Sequence, residues 1–430
     1  MAGATIRNVA AAEIPARVVP VPGSPFPARM RLVHLSDLHL GFRQYQRQTP
    51  AGINQREADV AAAFTRAVDA VIALDPELVV FGGDIFHTVR PTNPAILHAF
   101  HQFSRLRQAL PTTPVVVVAG NHDTPRSTET GCILRLFRPL GVDVVDSEPQ
   151  RLSYPELDLS VLAVPDVPGG PRVALEPDPA SRHNVLLLHG EVEGMLPARV
   201  GMADRAGVEI SREELGLSRW SYVALGHYHV HREIAPNAYY SGSIDYTSAN
   251  PWGELVEERE AGIEGKGIVE HDLASGAHTF HPLVASRRLI DLPPVPARGM
   301  SAADLDAAIA ETVNATDGGI DEQVVRLVVR DVPRHIVREL DHRALREFKR
   351  RALHFQLDTR RPELVRRHGH GAPGRRPSLA DTVREKLHSR VLSSDIDREA
   401  LVALGLHYLR EAETMSAATP TGVGAAAEGE

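Results

Sequence analysis

One cysteine, Cys132, stands among 430 residues. An internal disulfide is therefore impossible, and cysteine-built zinc modules and iron–sulfur centres are excluded. The same scarcity fits a reducing compartment, so cytoplasmic residence is the expectation. No run of about 18 apolar residues occurs, so no transmembrane helix and no membrane partner are expected. Near the N-terminus Glu13 and Pro15 interrupt the apolar stretch, which argues against a secretory leader. An excess of positive charge is missing too: 47 Lys and Arg against 55 Asp and Glu give a formal net charge of −8. That excludes a uniformly basic nucleic-acid coat but leaves room for a local basic patch. What is abundant is histidine, with 21 residues, against an ordinary globular background of 43% hydrophobic and 24% charged residues.

The length predicts two or three domains. Residues 1–29 are rich in Ala and Pro without a period and read as a disordered extension. From Met30 strands and helices alternate. Apolar strands are predicted at Arg31–Leu35, Leu78–Phe81, Val115–Ala119, Val185–Leu188 and Tyr222–Leu225, with amphipathic helices over Ala58–Leu74 and Ile96–Leu110. The first domain is placed at 30–285, and its acidic stretch Glu254–Glu264 reads as a surface loop. A β-α-β-α-β pattern follows at 286–359. Residues 360–380 form a basic linker, in which Arg360–Arg376 holds six arginines against one glutamate. Two amphipathic helices occupy 381–412, with Val383, Leu387 and Val391 on one stripe and Leu401, Leu404 and Tyr408 on the other. Residues 413–430 read as a disordered tail.

Each predicted strand of the first domain runs into a polar cluster: Asp37-Leu38-His39-Leu40-Gly41, Gly82-Gly83-Asp84-Ile85-Phe86-His87, Gly120-Asn121-His122-Asp123, His189-Gly190-Glu191 and Gly226-His227-Tyr228-His229-Val230-His231. Strand carboxyl ends are where α/β sheets assemble their sites. Carboxylate and imidazole hold hard to borderline divalent cations, and this ligand set alone allows manganese, iron, zinc or magnesium. Asp37 and His39 are two apart, as are His227 and His229, so on an extended backbone each pair points to one side. Asp37, His39, Asp84, Asn121, His122, His189, His227 and His229 are eight groups, too many for one tetrahedral ion and suited to two ions sharing a ligand, an arrangement that clamps a phosphoryl displacement. Asp84, central in the order, is the bridging candidate. A single such motif is more often a turn or a satisfied histidine; five in order, each after an apolar strand, are not.

This series resembles the calcineurin-like metallophosphoesterase superfamily and, within it, the SbcD-type DNA double-strand-break repair nucleases. His87 after Gly-Gly-Asp-Ile-Phe, the stretch Tyr240-Ser241-Gly242-Ser243 and the β-α-β-α-β segment point to that branch. The resemblance implies an α/β fold: a two-layered β-sandwich flanked by helices, with a small β-α-β-α-β capping domain and C-terminal helices. It implies that one metal is held by Asp37, His39, Asp84 and His229, and the other by Asp84, Asn121, His189 and His227. Two manganese ions are the implied cofactor. His122 matches the histidine that acts on the leaving group, with Asp123 orienting its ring, and His87 matches a second histidine near the scissile phosphate. The implied activity is hydrolysis of DNA phosphodiesters at ends or hairpins, exonucleolytic and endonucleolytic. The implied partners are DNA, a second copy of the chain, and an SbcC-type ATPase bound through the C-terminal helices. The alternative is a small-molecule phosphodiesterase with the same metal centre, which would need no capping domain, basic linker or helical tail. His98, His101, His342, His354, His368 and His370 read as ordinary surface residues, and Cys132 as a small buried one.

Overall fold

The computed structural model describes residues 16–18, 30–125, 131–170, 173–194, 206–362, 378–389 and 397–417. Two mixed sheets form the centre. The first has six strands in the spatial order His278–Pro282, Gly267–Asp272, Arg31–Leu35, Leu78–Phe81, Val115–Val118 and Asp143–Val145. Its last four strands are parallel, and Gly267–Asp272 joins them antiparallel beside Arg31–Leu35. The second sheet orders Ala16–Val18, Gln150–Tyr154, Leu159–Val164, His183–His189, Tyr222–Gly226, Ala238–Tyr240 and Arg232–Ala235.

Side chains alternate across each strand, and the alternation builds the layers. Val33, Leu35, Val79, Phe81, Val115 and Val117 face the helices Gln55–Leu74 and Asn93–Ala109, where Phe64, Val68, Ala99 and Phe103 close the layer. Leu32, Leu78, Val80, Val116 and Val118 face the other way. They meet Val161, Ala163, Val185, Leu187, Tyr222 and Ala224 of the second sheet. This is the sandwich flanked by helices that the resemblance implied. Asn54 caps the first helix by accepting from the Arg56 and Glu57 amides, and Asp75 ends it in a left-handed conformation.

A three-stranded parallel sheet follows, Leu289–Pro296, Val324–Arg330 and His354–Thr359, covered by helices Ala302–Asn314, Arg334–Glu339 and His342–Arg351. The second helix of the β-α-β-α-β pattern is split at Leu340, where the backbone turns extended and Asp341 caps the second piece. This sheet is held to the sandwich by a stack of Tyr45 on His354 at 4.0 Å, by Arg47 on Glu322 and on the Ala352 carbonyl, and by Trp252 against Val324 and Leu353.

Four expectations need correction. The 254–264 stretch is not a loop: Pro251–Ala261 is a helix with Glu254 and Glu258 buried. Within the stretch expected as a disordered extension, Ala16–Val18 is a strand that adds in parallel to Gln150–Tyr154; edge pairing uses main-chain groups and needs no apolar pattern. His98 is half-buried against Phe64 and Thr65, and His354 lies in the stack on Tyr45. In the C-terminal unit, helices Leu379–Ser389 and Arg398–Ala417 pack on each other so closely that a Cβ at Gly405 would stand 2.6 Å from Leu387 Cδ1. Leu387 therefore lies inside the pair with buried Val402, whereas Leu404 and Tyr408 remain 50% and 61% exposed. The second of these helices takes in residues 413–417 of the expected 413–430 tail, while Val391, most of the basic linker and residues 418–430 lie outside the described residues.

A second histidine group lies away from the motif loops. His34 contacts the Tyr222 hydroxyl at 3.2 Å, Tyr222 packs on His271, and Tyr239 stacks on His278 at 3.6 Å. Burial, helped by His231 and His278, lowers His34 to about 3, and burial lowers His271 and His278 to about 4. Unfolded histidine titrates near 6.5, so below that pH the unfolded chain binds protons that the folded chain refuses. Stability must fall as pH drops from about 6.5 towards 4. Fully buried His34 alone accounts for about 2 kcal/mol between pH 6.5 and 5. Denaturant titrations across that range should show the decline, and His34→Phe should flatten part of it. Parallel profiles for the two proteins would refute the assignment to His34.

Candidate metal centre

The five motif loops leave the carboxyl ends of parallel strands and meet over one edge of the sandwich. The first two are zipped together: the Asp37 and His39 amides donate to the Gly83 and Asp84 carbonyls, both at 2.9 Å. The backbone there is not extended. Asp37, His39 and Asp84 have φ of 54°, 49° and 52°, so the two-residue spacing brings Asp37 and His39 together through left-handed turns and not through strand alternation. Non-glycine residues rarely adopt this conformation, and it persists where the surroundings enforce it, commonly at functional sites. Two glycines make the approach possible. A Cβ at Gly83 (φ 94°) would run into the His189 ring, and one at Gly120 would overlap the Asp84 carboxylate.

Asp84 sits at the centre. Its Oδ1 accepts from the His122 amide at 2.9 Å. Its Oδ2 lies 3.8 Å from His39 Nε2 and 3.6 Å from His189 Nε2, so one carboxylate oxygen faces two ligand groups. On one side His39 Nε2 and His229 Nε2 are 3.0 Å apart, and Asp37 clusters with them. On the other, Asn121 Oδ1 lies 3.0 Å from His189 Nε2 and 3.3 Å from His227 Nδ1, and Asp84, His189 and His227 cluster likewise. All seven side chains expected as ligands thus converge, in the two groups that the resemblance implied.

Two of the rings, His189 and His227, have one nitrogen engaged outside the cluster. His189 Nδ1–H donates to the Gly82 carbonyl at 2.6 Å, which leaves Nε2 as the nitrogen facing Asp84; burial opposes charge on the ring, but the Asp84 and Asp37 carboxylates outweigh it and raise His189 to about 8. His227 Nε2 lies 3.3 Å from Glu191 Oε1, which leaves Nδ1 facing Asn121. Asp37 accepts from the Ser36 hydroxyl at 2.5 Å and from the His227 amide at 3.0 Å. Burial, then the neighbouring imidazoles of His229, His122, His87 and His189, hold His39 well below the ordinary histidine value, so it is neutral and able to ligate. Carboxylate oxygens, an amide oxygen and imidazole nitrogens crowded at 3.0–3.8 Å suit divalent cations in both donor type and orientation.

His87 and His122 stack with ring centroids 5.3 Å apart beside His39, and the three form a third group of converging nitrogens. Asp123 does not orient the His122 ring. His122 Nδ1–H donates to the His87 carbonyl at 2.7 Å, while the Asp123 carboxylate accepts from the Ile85, Phe86 and Gly120 amides. Adjacency in sequence placed Asp123 beside His122, but the turn points the two side chains in different directions. Cys132 is buried and bonds to the Asp123 carbonyl. His231 donates to the Tyr240 carbonyl and stacks on Phe280, away from the ligands.

The family model for calcineurin-like phosphoesterases matches residues 30–253, more than half of the chain. The chain belongs to the calcineurin-like phosphoesterase family. Among curated relatives, this phosphoesterase is 27% identical over 263 residues to the DNA double-strand break repair protein Mre11 of Sulfurisphaera tokodaii, covering 60% of this chain and 63% of that protein. It is 28% identical over 211 residues to the Mre11 of Sulfolobus acidocaldarius, covering 47% and 50%. With the Mre11 of Methanocaldococcus jannaschii the identity is 25% over 250 residues, covering 56% and 61%. The matched part thus spans less than two thirds of each of these relatives. Divalent metal ions are the cofactors that membership in the phosphoesterase family implies. No helix among the described residues is long and apolar enough to cross a membrane.

Proposed function

We propose that this phosphoesterase is a metal-dependent DNA nuclease acting at ends or hairpins, the nuclease subunit of an SbcCD-like repair complex. The observation that carries the reading is the single Asp84 oxygen facing His39 and His189, which divides seven ligands into two sites with one shared member. One cation would be held by Asp37, His39, Asp84 and His229, the other by Asp84, Asn121, His189 and His227. Manganese is the ion the resemblance favours. Such a pair, when bound, supplies Lewis acidity at the phosphoryl oxygens. The chain supplies the proton. His122 Nδ1–H is committed to the His87 carbonyl, so Nε2 is the nitrogen left to hand a proton to the departing 3′-oxygen. The bond from the His122 amide to Asp84 fixes that acid relative to the ligands. His87, stacked on His122, is the second histidine that the resemblance sets near the scissile phosphate.

The substrate reading rests on relatives named for DNA double-strand break repair and on the small parallel sheet beyond the sandwich. On its helix His342–Arg351, Arg343, Arg346 and Lys349 are exposed at three-residue spacing and make no ion pair among the described residues. Phosphate contacts draw on such stripes. The alternative, a small-molecule phosphodiesterase, has the same metal centre but no use for the stripe. Assays with manganese and with magnesium on blunt, hairpin and single-stranded DNA, beside bis-p-nitrophenyl phosphate, separate the two. Cleavage of DNA well above the small ester supports the nuclease; turnover of the small ester alone supports the alternative.

The C-terminal helix pair fits an SbcC-type ATPase as partner. It leaves Leu404 and Tyr408 on one exposed face, one helical turn apart. The expected result is that Leu404→Glu with Tyr408→Glu abolishes co-purification with the ATPase, while manganese-dependent cleavage by the isolated subunit survives. Normal co-purification would remove this face from the interface. A homodimer through the helix Asn93–Ala109, where Leu97 is exposed, and cytoplasmic residence complete the reading.

A further inference from the structure

The helix Pro251–Ala261 takes up most of the acidic stretch Glu254–Glu264, and its buried acids have no part in the scheme above. Trp252 seats it on the capping sheet, donating from Nε1 to Gln356 Oε1 at 3.2 Å under the Arg326 guanidinium. One half-turn on, Glu254 reaches the metal centre. Lys266, 5% exposed, binds the Glu254 carboxylate, Glu258 at 2.9 Å and the backbone carbonyl of His229 at 2.8 Å. Glu258 in turn accepts from the Tyr246 hydroxyl at 2.6 Å. Three charges are therefore buried together, an arrangement that stabilises little by itself because desolvation offsets the attraction.

Besides Glu258 Oε1, which pairs with Lys266, two buried atoms of this group lack a hydrogen-bond partner among the described residues, His229 Nδ1 and Glu254 Oε1. They face one another at 3.6 Å. The other nitrogen of the same ring, Nε2, points into the ligand cluster at 3.0 Å from His39 Nε2. A small closing movement satisfies both orphans at once. It fixes the proton on Nδ1 and leaves the lone pair on Nε2, the relation in which a carboxylate orients a metal-ligating imidazole.

We infer that Glu254, held in place by Lys266, is a positioning residue that sets the ring and tautomer of His229 as a metal ligand. This rests on the proposed two-metal reading and deepens it: the centre depends on a carboxylate delivered by the helix that Trp252 docks on the capping sheet. Glu258 shares Lys266 but does not touch His229, so it serves as the internal control.

Titration of the full chain with Mn²⁺ tests the inference, read by calorimetry and by the electron paramagnetic resonance of bound manganese. Wild type should bind two ions. Glu254→Met, which keeps length and removes the acceptor, should weaken one of the two by about 10–100-fold. Glu254→Gln, which keeps an acceptor oxygen, should recover part of that loss. Glu258→Met should bind both ions as wild type does, although it disturbs the same ionic group. A merely structural group would lower melting temperature in both Met variants and leave both affinities intact, and that result overturns the inference. A wild type that binds no manganese overturns the two-metal reading itself, and this inference with it. Should Glu254→Met not fold, nitrogen-15 spectra of the wild-type protein loaded with Zn²⁺ decide the matter. A proton on His229 Nδ1 is required, and one on Nε2 contradicts it.

Discussion

Asp84→Asn is expected to bind neither metal ion at wild-type affinity and to lose hydrolysis by at least about 10³-fold. Two effects combine. The shared oxygen faces His39 and His189 from the middle of the cluster, so replacing the anion weakens both sites at once. Metal stabilisation of transition-state charge amounts to several kcal/mol, and each 1.4 kcal/mol is about tenfold in rate. Asparagine keeps the size and one oxygen, so the His122 amide can still donate and the fold is expected to survive. Metal analysis of the purified variant reads the result directly. Two ions retained at full affinity would dismiss Asp84 as the shared ligand, whatever happened to the rate.

His122→Ala separates chemistry from metal binding. The His122 side chain touches the His87 carbonyl and lies over the His39 ring, but only its backbone amide reaches Asp84. Alanine keeps that amide. Both ions and DNA affinity are therefore expected to persist, while cleavage falls by about 10²–10⁴-fold, the usual cost of losing a general acid. Substrates with a good leaving group, which need no proton, should lose far less. Equal losses for a nitrophenyl ester and for DNA would show that His122 acts otherwise than as the acid.

The converging side chains were legible because a proposed metal site dictates residue types and the fold dictates where they stand. Asp37, Asp84, Asn121, His189 and His227 each follow an apolar run, and the sheet brings strand ends together however far apart they lie in sequence. The strands Gln150–Tyr154, Leu159–Val164, Ala238–Tyr240 and Gly267–Asp272 were less legible, since short strands without a polar signature leave little local trace. Glu254 was missed for a different reason. Acidic residues at 254, 257, 258 and 260 look solvated in a local reading, and only the fold shows that Lys266 neutralises two of them in the interior. Glu191 stood in a recognised motif, yet its contact is with His227, 36 positions later in the chain and on another loop. The error at Asp123 runs the opposite way: neighbours in sequence need not be partners, and three backbone amides claim that carboxylate first.

The central claim is that two cations share Asp84, and anomalous diffraction from crystals soaked in manganese tests it most directly. The account predicts two peaks, one among Asp37, His39, Asp84 and His229 and one among Asp84, Asn121, His189 and His227. They should lie roughly 3.5–4 Å apart with an Asp84 oxygen between them. A single peak, or two peaks of which only one contacts Asp84, would contradict it.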